Sequence, residues 1–249
     1  MSELHPATRG FEGADVYERG RPSYPRAAVE RIVSRLDLRP GRTVLDLAAG
    51  TGKLTRLLVP SGASVIAVEP VLEMRRELEK HVREATALAG TAEQLPLVDR
   101  SVDAVTVGQA FHWFRQDEAL REIHRVLRPG GGVALIWNAR DERHPVQAAL
   151  SEVIDPLEAD TPRRKQREWR SLLADSGLFD GCERALFEQE QVVDEQGLVE
   201  RVTSISFIAA APQEVRDDVE ERVRAIARHA PQPIRLPYMT ELYLGYRIS

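Results

Sequence analysis

The chain has 249 residues, a formal net charge of −5, 43% apolar residues and 29% charged residues. These proportions are those of an ordinary globular protein and argue against a disordered or fibrous chain. The acidic balance argues against a general nucleic-acid binder. No stretch approaches the roughly 18 consecutive apolar residues of a membrane span. The amino-terminal segment lacks the apolar core of a signal peptide, and the single cysteine, Cys182, cannot form an internal disulfide, so we expect a cytoplasmic protein.

Apolar strands alternate with amphipathic helices through the first part of the chain. The alternation is typical of a parallel sheet with helices on both faces. In chain order the pattern predicts a helix over 27–36 and strands over 43–47 and 64–68. The next predicted helix begins at Pro70 and runs to about 85, and strands over 87–90 and 102–107 follow it. The last elements are a helix over 117–126, ended by Pro129-Gly130-Gly131-Gly132, and a strand over 133–137.

Beyond residue 140 the alternation loosens. The pattern predicts helices over 145–159, 164–176, 195–205 and 213–229, and extended segments over 182–193 and 236–247. We interpret the chain as one domain, 1–249. Its parts are a lid and helix over 1–40, a core over 41–140, a variable cap with the sixth strand over 141–230, and a final strand over 231–249.

A strand, a glycine-rich turn and a helix follow one another over 44–55. Asp46 ends the strand, and Ala48, Gly50 and Gly52 lie in the turn. Small residues let a ligand approach the backbone, and the helix start offers free N–H groups. Glu69 ends the next strand, where a carboxylate can accept both hydroxyls of an adenosine ribose. The two features together predict a nucleoside site.

These motifs resemble those of the class I S-adenosylmethionine-dependent methyltransferases. Asp46, Ala48, Gly50 and Gly52 match the first family motif, with Ala48 in place of the usual first glycine. Residues 90–97 and 101–103 resemble the family segment that flanks the adenine, and 122–131 resemble the helix and turn before strand five. The resemblance implies a Rossmann-like, seven-stranded, mostly parallel α/β sheet with a C-terminal antiparallel hairpin and a helical cap.

The resemblance also implies a cofactor and a set of residues that hold it. The cofactor would be S-adenosyl-L-methionine and the product S-adenosyl-L-homocysteine. The implied donor-binding residues are Tyr17, Arg21, Asp46, Ala48, Gly50, Gly52, Glu69, Pro70, Ala92, Glu93, Gln109 and Ala110.

The loop after the fourth predicted strand contains His112. Ligands of open α/β sheets lie outside the carboxyl ends of the strands, so this loop is expected to face the glycine turn. His112 is the candidate catalytic residue, because its side chain titrates near neutrality. It can act as a general base, contact the acceptor or cofactor, or pack the loop, and a carboxylate acceptor would need no base. Trp113 and Phe114 are expected to wall off the site.

Two further segments resemble one branch, the type-11 methyltransferases that include trans-aconitate methyltransferases. They are 11–25, with Tyr17 and Arg21, and 109–114. By this resemblance the first segment is a lid over the donor, and Arg21 pairs with a carboxylate of the donor or substrate, or is a surface residue. The predicted reaction is methyl transfer to a small molecule, such as a carboxylate or hydroxyl.

Other functions remain open from the sequence. An NAD(P)-dependent oxidoreductase would share Glu69, but its sequence motif has a third glycine where this chain has Thr55. A non-catalytic donor-binding regulator would keep the same loop. A nucleic-acid methyltransferase rests only on a basic run, Arg163, Arg164, Lys165, Arg167 and Arg170. We expect no metal, no nucleic acid and no membrane partner, and a monomer or homodimer.

Overall fold

The computed structural model describes residues 20–158 and 169–248. The helices are α1 Arg26–Arg35, α2 Thr55–Leu58, α3 Leu72–His81, α4 Gln116–Val126, α5 Pro145–Ile154, α6 Trp169–Asp175, α7 Glu195–Thr203, α8 Ser206–Ala209 and α9 Gln213–His229. The strands are β1 Thr43–Leu47, β2 Ser64–Val68, β3 Thr86–Leu88, β4 Val102–Gly108, β5 Leu127–Arg140, β6 Phe179–Val193 and β7 Ile234–Arg247. Short 3₁₀ turns occupy Val59–Ser61, Phe111–Trp113 and Asp155–Leu157.

The strands form one seven-stranded sheet in the order β3-β2-β1-β4-β5-β7-β6. Every pair from β3 to β5 is parallel, and the sheet ends in a C-terminal antiparallel pair, with helices around it. The predicted Rossmann-like fold is confirmed. β4 is buried on both faces from Val102 to Val107, which explains why it reads as an almost continuous apolar run.

The helices follow from their apolar spacing. α4 buries Ala119, Leu120, Ile123 and Val126, one face of a helix with 3.6 residues per turn, and its other face carries charged residues. Acidic residues Asp117 and Glu118 stand in its first turn and His124 and Arg125 in its last, the placement that the helix dipole favours.

The chain divides into two compact units. The core unit comprises the described residues 24–137, 169–187 and 240–248, and it holds the two apolar clusters that pack against β1 and β4. The cap unit comprises the described residues 20–23, 138–158 and 188–239. Its own apolar cluster joins α5, α7 and α9 through residues such as Leu150, Leu198 and Val223.

Some predicted boundaries were wrong. The helix after β2 begins at Leu72 and ends at His81, not at Pro70 and 85, because Val71 is extended and its N–H is held by the Glu69 side chain. β5 begins at Leu127, six residues earlier than predicted, and the proline–glycine segment bulges between the register pairs Val102–Leu127 and Ala104–Gly132.

Beyond residue 140 the helix predicted over 213–229 has the predicted bounds, and the other three predicted helices are shorter within the described residues. The predicted helix over 145–159 ends at Ile154, before a turn that contains Pro156. The part of the predicted helix over 164–168 lies outside the described residues, as do residues 1–19. No helix among the described residues is long and apolar enough to cross a membrane.

Candidate functional site

Three parallel strands end side by side in the core unit. β1 pairs with β2 on one side and with β4 on the other, which places Leu47 opposite Val68 and Asp46 opposite Thr106. The strand order reverses at β1, so the loops after β1 and β4 leave in different directions and open a crevice at their carboxyl ends. The predicted site residues from 46 to 112 all belong to this unit.

The glycine turn after β1 depends on left-handed backbone. Ala48, Gly50 and Gly52 have φ of 54°, 58° and 85°. A Cβ at Gly52 would lie 2.9 Å from a methyl carbon of Val82, so only glycine fits there. A Cβ at Gly50 would meet nothing within 4 Å, so this residue faces open space. The turn therefore offers backbone to a ligand at Gly50 while it packs tightly at Gly52.

Asp46 is a buried carboxylate held by two threonines. Its oxygens accept hydrogen bonds from Thr55 Oγ1 at 2.6 Å and Thr106 Oγ1 at 2.9 Å. Burial raises the pKa of Asp46 to about 6, although both hydrogen bonds oppose that rise. The side chain thus ties the turn to β4 and puts a second negative charge beside Glu69.

Glu69 closes the other side of the turn. Its side chain accepts from Gly50 N at 2.9 Å and from Val71 N at 2.8 Å, and only 5% of the residue is exposed. Burial raises the pKa of Glu69 to about 7, against the effect of the two backbone N–H groups and of Arg75. A carboxylate that holds both the turn and the residue before α3 can also accept hydrogen bonds from the hydroxyls of a ligand.

The segment after β3 carries the residues predicted to flank an adenine. Ala92 is buried with 4% exposure, and Glu93 accepts a hydrogen bond from Arg115 N at 2.9 Å. Glu93 thereby connects its own loop to the loop that follows β4. Pro70, beside Glu69, is half-buried.

The loop after β4 has a constrained start and an aromatic lining. Gln109 has a φ of 61° and its N–H donates to Ile136 O, while Ala110 precedes the 3₁₀ turn that contains His112. His112 Nδ1 accepts a hydrogen bond from Trp137 Nε1 at 3.4 Å, the long end of the range. His112 is half-buried, so the buried indole fixes one nitrogen of a partly accessible ring.

A buried aromatic cluster backs this loop. Trp137 stacks on Trp169 with ring centroids 4.8 Å apart, and Phe111 meets Trp169 and Phe114 edge to face. The cluster excludes water from one side of the loop. Phe114 thus contributes to an apolar wall behind this loop.

The other predicted site residues are not gathered with this set. Tyr17 lies outside the described residues. Arg21 belongs to the cap unit, where its guanidinium donates to Ser204 O at 3.3 Å. The side chains of the basic run over 163–170 also lie outside the described part. Over residues 20–158 and 169–248, no group of three or more His, Cys, Asp or Glu side chains could hold a metal ion.

Sequence reasoning missed three partners in the core unit. Thr55 and Thr106 hold Asp46, and Trp137 holds His112. A lone hydroxyl inside the apolar run of β4 is the signal that could have identified Thr106, because a buried polar group requires a partner. Nothing in the local pattern pairs Trp137 with His112.

Comparisons with known proteins match this chain to methyltransferases. A family model described as a methyltransferase domain matches residues 45–135. An uncharacterised methyltransferase of Mycobacterium tuberculosis is 40% identical over 233 residues, covering 90% of this chain and 89% of that protein.

Two solved structures share the fold. A proposed type II methyltransferase from Anaeromyxobacter dehalogenans has a TM-score of 0.66 at 24% identity, over 91% of this chain and 97% of that one. A geranyl diphosphate methyltransferase in complex with SAM has a TM-score of 0.53 at 16% identity, over 90% and 85%. On the family match and the full-length relative, this chain belongs to the class I S-adenosylmethionine-dependent methyltransferases.

Proposed function

We propose that this protein transfers the methyl group of S-adenosylmethionine to a small-molecule acceptor. The observation that carries the proposal is the pairing of Glu69 with Gly50 at the carboxyl ends of β1 and β2. A buried carboxylate next to a turn that faces open space fits a ribose whose hydroxyls both need an acceptor. A neighbour with the same fold binds SAM, which supports the same cofactor here.

Each part of the site would have a separate task. Glu69 would accept the ribose hydroxyls, and Glu93 with Ala92 would flank the adenine. The turn at Ala48, Gly50 and Gly52 would bring backbone N–H groups to the rest of the cofactor. Asp46 is only 1% exposed, and it would act by holding the turn to β4 through the hydroxyls of Thr55 and Thr106.

The chemical step needs little proton transfer by the protein. When bound, S-adenosylmethionine supplies a methyl group on a sulfonium, whose departure leaves a neutral thioether. The protein's task is then to align the acceptor and exclude water. The cluster of Phe111, Phe114, Trp137 and Trp169 supplies a dry wall behind the loop after β4.

His112 would contact the acceptor as a hydrogen-bond donor. The indole N–H of Trp137 needs a lone pair on Nδ1, so the neutral ring carries its proton on Nε2. A ring in this tautomer can donate to an acceptor oxygen, but a general base at Nε2 would need the other tautomer. This favours acceptors that arrive already deprotonated.

The oxidoreductase alternative fits these residues less well. In a dinucleotide fold the third glycine allows close approach of helix and strand. Here Thr55 occupies that position, is fully buried, and uses its hydroxyl on Asp46. A non-catalytic regulator would need the donor turn but not the arrangement of His112 and Trp137.

The first experiment is calorimetric titration with S-adenosylhomocysteine, NAD and NADP. We expect S-adenosylhomocysteine alone to bind, and binding to fall sharply in E69A. E73A is the matched control, because Glu73 is an exposed residue in the first turn of α3, the helix that follows Glu69. Preference for a dinucleotide would overturn the proposal. A panel of small carboxylates and phenols, with S-adenosylhomocysteine formation as the readout, then distinguishes an enzyme from a regulator.

A further inference from the structure

Two arginines are buried in the cap unit. Arg201, in α7, is only 7% exposed, and the side chain of Arg140, at the end of β5, is 16% exposed. Arg201 Nε donates to the Tyr238 hydroxyl at 3.0 Å, and its guanidinium lies 5.8 Å from the centre of that ring. Among the described residues, no carboxylate lies within ion-pair distance of Arg201. A buried guanidinium without a carboxylate is unfavourable unless something else compensates it.

Arg140 is itself a cation and cannot compensate the charge of Arg201. Its one ion pair among the described residues is with Asp155, at 2.9 Å, and the Asp155 side chain is 42% exposed. Burial lowers the pKa of Arg140, and the nearby positive charge of Arg201 lowers it further. The two guanidinium groups are therefore close enough to repel each other. The negative charges of Asp155 and Glu142 act in the opposite direction, but the pKa of Arg140 still lies below its ordinary value.

Buried polar atoms of the same unit lack partners. Gln147 is fully buried; its Nε2 donates to Pro237 O at 2.9 Å, and its Oε1 has no hydrogen bond. Gln189 Nε2, on β6, is likewise buried and unsatisfied. Alternate residues of a strand share a face, so Gln189 lies on the same face as Gln191, whose Oε1 accepts from the Tyr238 hydroxyl at 3.4 Å. Unsatisfied buried polar atoms call for a ligand or water.

We propose that Arg140 and Arg201, assisted by Gln189, form a binding site for a carboxylate or phosphate group. Guanidinium groups bind both anions through paired, charge-assisted N–H bonds. The site would select small molecules that carry such an anionic group.

Anion binding by the isolated protein tests the site without knowledge of the acceptor. Succinate and inorganic phosphate are titrated by calorimetry, with and without saturating S-adenosylhomocysteine, and uncharged succinamide serves as the control. We expect one anion per chain, no binding of succinamide, and a loss of about tenfold in affinity or more in R140Q and in R201Q, since each removes charge-assisted hydrogen bonds. Preference for succinate over phosphate would identify a carboxylate as the group that is bound.

The matched control is R222Q, because Arg222 is 48% exposed in α9 and pairs only loosely with Asp218, at 3.7 Å. It should bind anions as the wild type does. Thermal unfolding adds a second readout: R201Q should be at least as stable as the wild type without anion, and should gain no stability when anion is added. R201K, which keeps the charge, covers the case in which R201Q fails to fold.

Two results would overturn the inference. One is wild-type protein that binds neither succinate nor phosphate, and the other is equal anion affinity in R140Q, R201Q and R222Q. Its failure is separate from that of the proposed function. Intact binding of S-adenosylhomocysteine without anion binding removes the anion site alone, whereas anion binding without donor binding removes the methyltransferase proposal.

Discussion

Glu69 has two roles that favour different ionisation states: burial in the fold favours the neutral acid, whereas donor binding favours the carboxylate. Its ordinary pKa is 4.5, and burial raises it to about 7 in the folded chain. Between these values the folded chain binds more protons than the unfolded chain, so the free energy of unfolding falls as the pH rises. The shift corresponds to about 3 kcal/mol of stability, present at low pH and lost above about pH 7. E69Q has no charge to bury and should not show this loss.

Urea unfolding of the wild type and of E69Q over a series of pH values measures this effect. We expect the unfolding free energy of E69Q minus that of the wild type to rise by about 3 kcal/mol across the window. The other titrating groups are common to both proteins and largely cancel. E73Q, at an exposed position in the first turn of α3, should show the same pH dependence as the wild type. A difference between wild type and E69Q that stays constant with pH would refute the reasoning.

Donor binding should show the opposite trend. An ionised Glu69 accepts hydrogen bonds from hydroxyl groups, so wild-type affinity for S-adenosylhomocysteine should weaken by up to about tenfold per pH unit below about pH 7. E69Q should bind weakly at every pH, because an amide has only one oxygen to accept with. Calorimetry at several pH values tests this, and a wild-type affinity independent of pH would contradict it.

Three further predictions concern other positions. In urea unfolding, G52A should lower the free energy of unfolding by about 2 kcal/mol or more, because the new Cβ has both a left-handed φ and a close contact with Val82. G41A, at a similar φ of 88° but in open space, should lower it by only about 1 kcal/mol. D103N should lose about 2 kcal/mol at neutral pH. Burial alone would raise the pKa of Asp103, but its N–H and guanidinium partners lower it below 3.8, so the wild type should lose this advantage as the pH falls through that lowered value. H112Q should retain most of kcat/KM on any acceptor found in the panel and H112A should lose about tenfold, as expected for a hydrogen-bond donor; equal and far larger losses in both would indicate a base.

The sequence was most informative where local pattern and fold coincide. The strands near residues 43, 64 and 102 were predicted to within about two residues because buried parallel strands are short apolar runs bounded by turn residues. Glu69 and the glycine turn were identifiable for the same reason, since each lies at a strand end. The helix start predicted at Pro70 was wrong because the Glu69 side chain holds the N–H of Val71, and α3 begins only at Leu72.

The partners that come from distant parts of the chain were not predictable. Thr106 meets Asp46 across a strand pair 60 residues away, and Arg140 approaches Arg201 only through the folding of the cap unit. No periodicity or spacing connects such pairs, because tertiary packing alone brings them together. The roles assigned to Tyr17 and Arg21, and the trans-aconitate branch, stay predictions.

The position of β7 has a consequence for how the chain is made. It is the last strand along the described chain, yet it lies between β5 and β6 in the sheet, with residues 234–239 in the cap unit and 240–247 in the core unit. During synthesis one edge of β5 stays unpaired until about a hundred further residues have been made, because its neighbour β7 leaves the ribosome only then. Unpaired strand edges promote aggregation. Truncation before residue 234 would leave β6 without its partner and both units incomplete, so shortened versions of this chain should accumulate as insoluble protein.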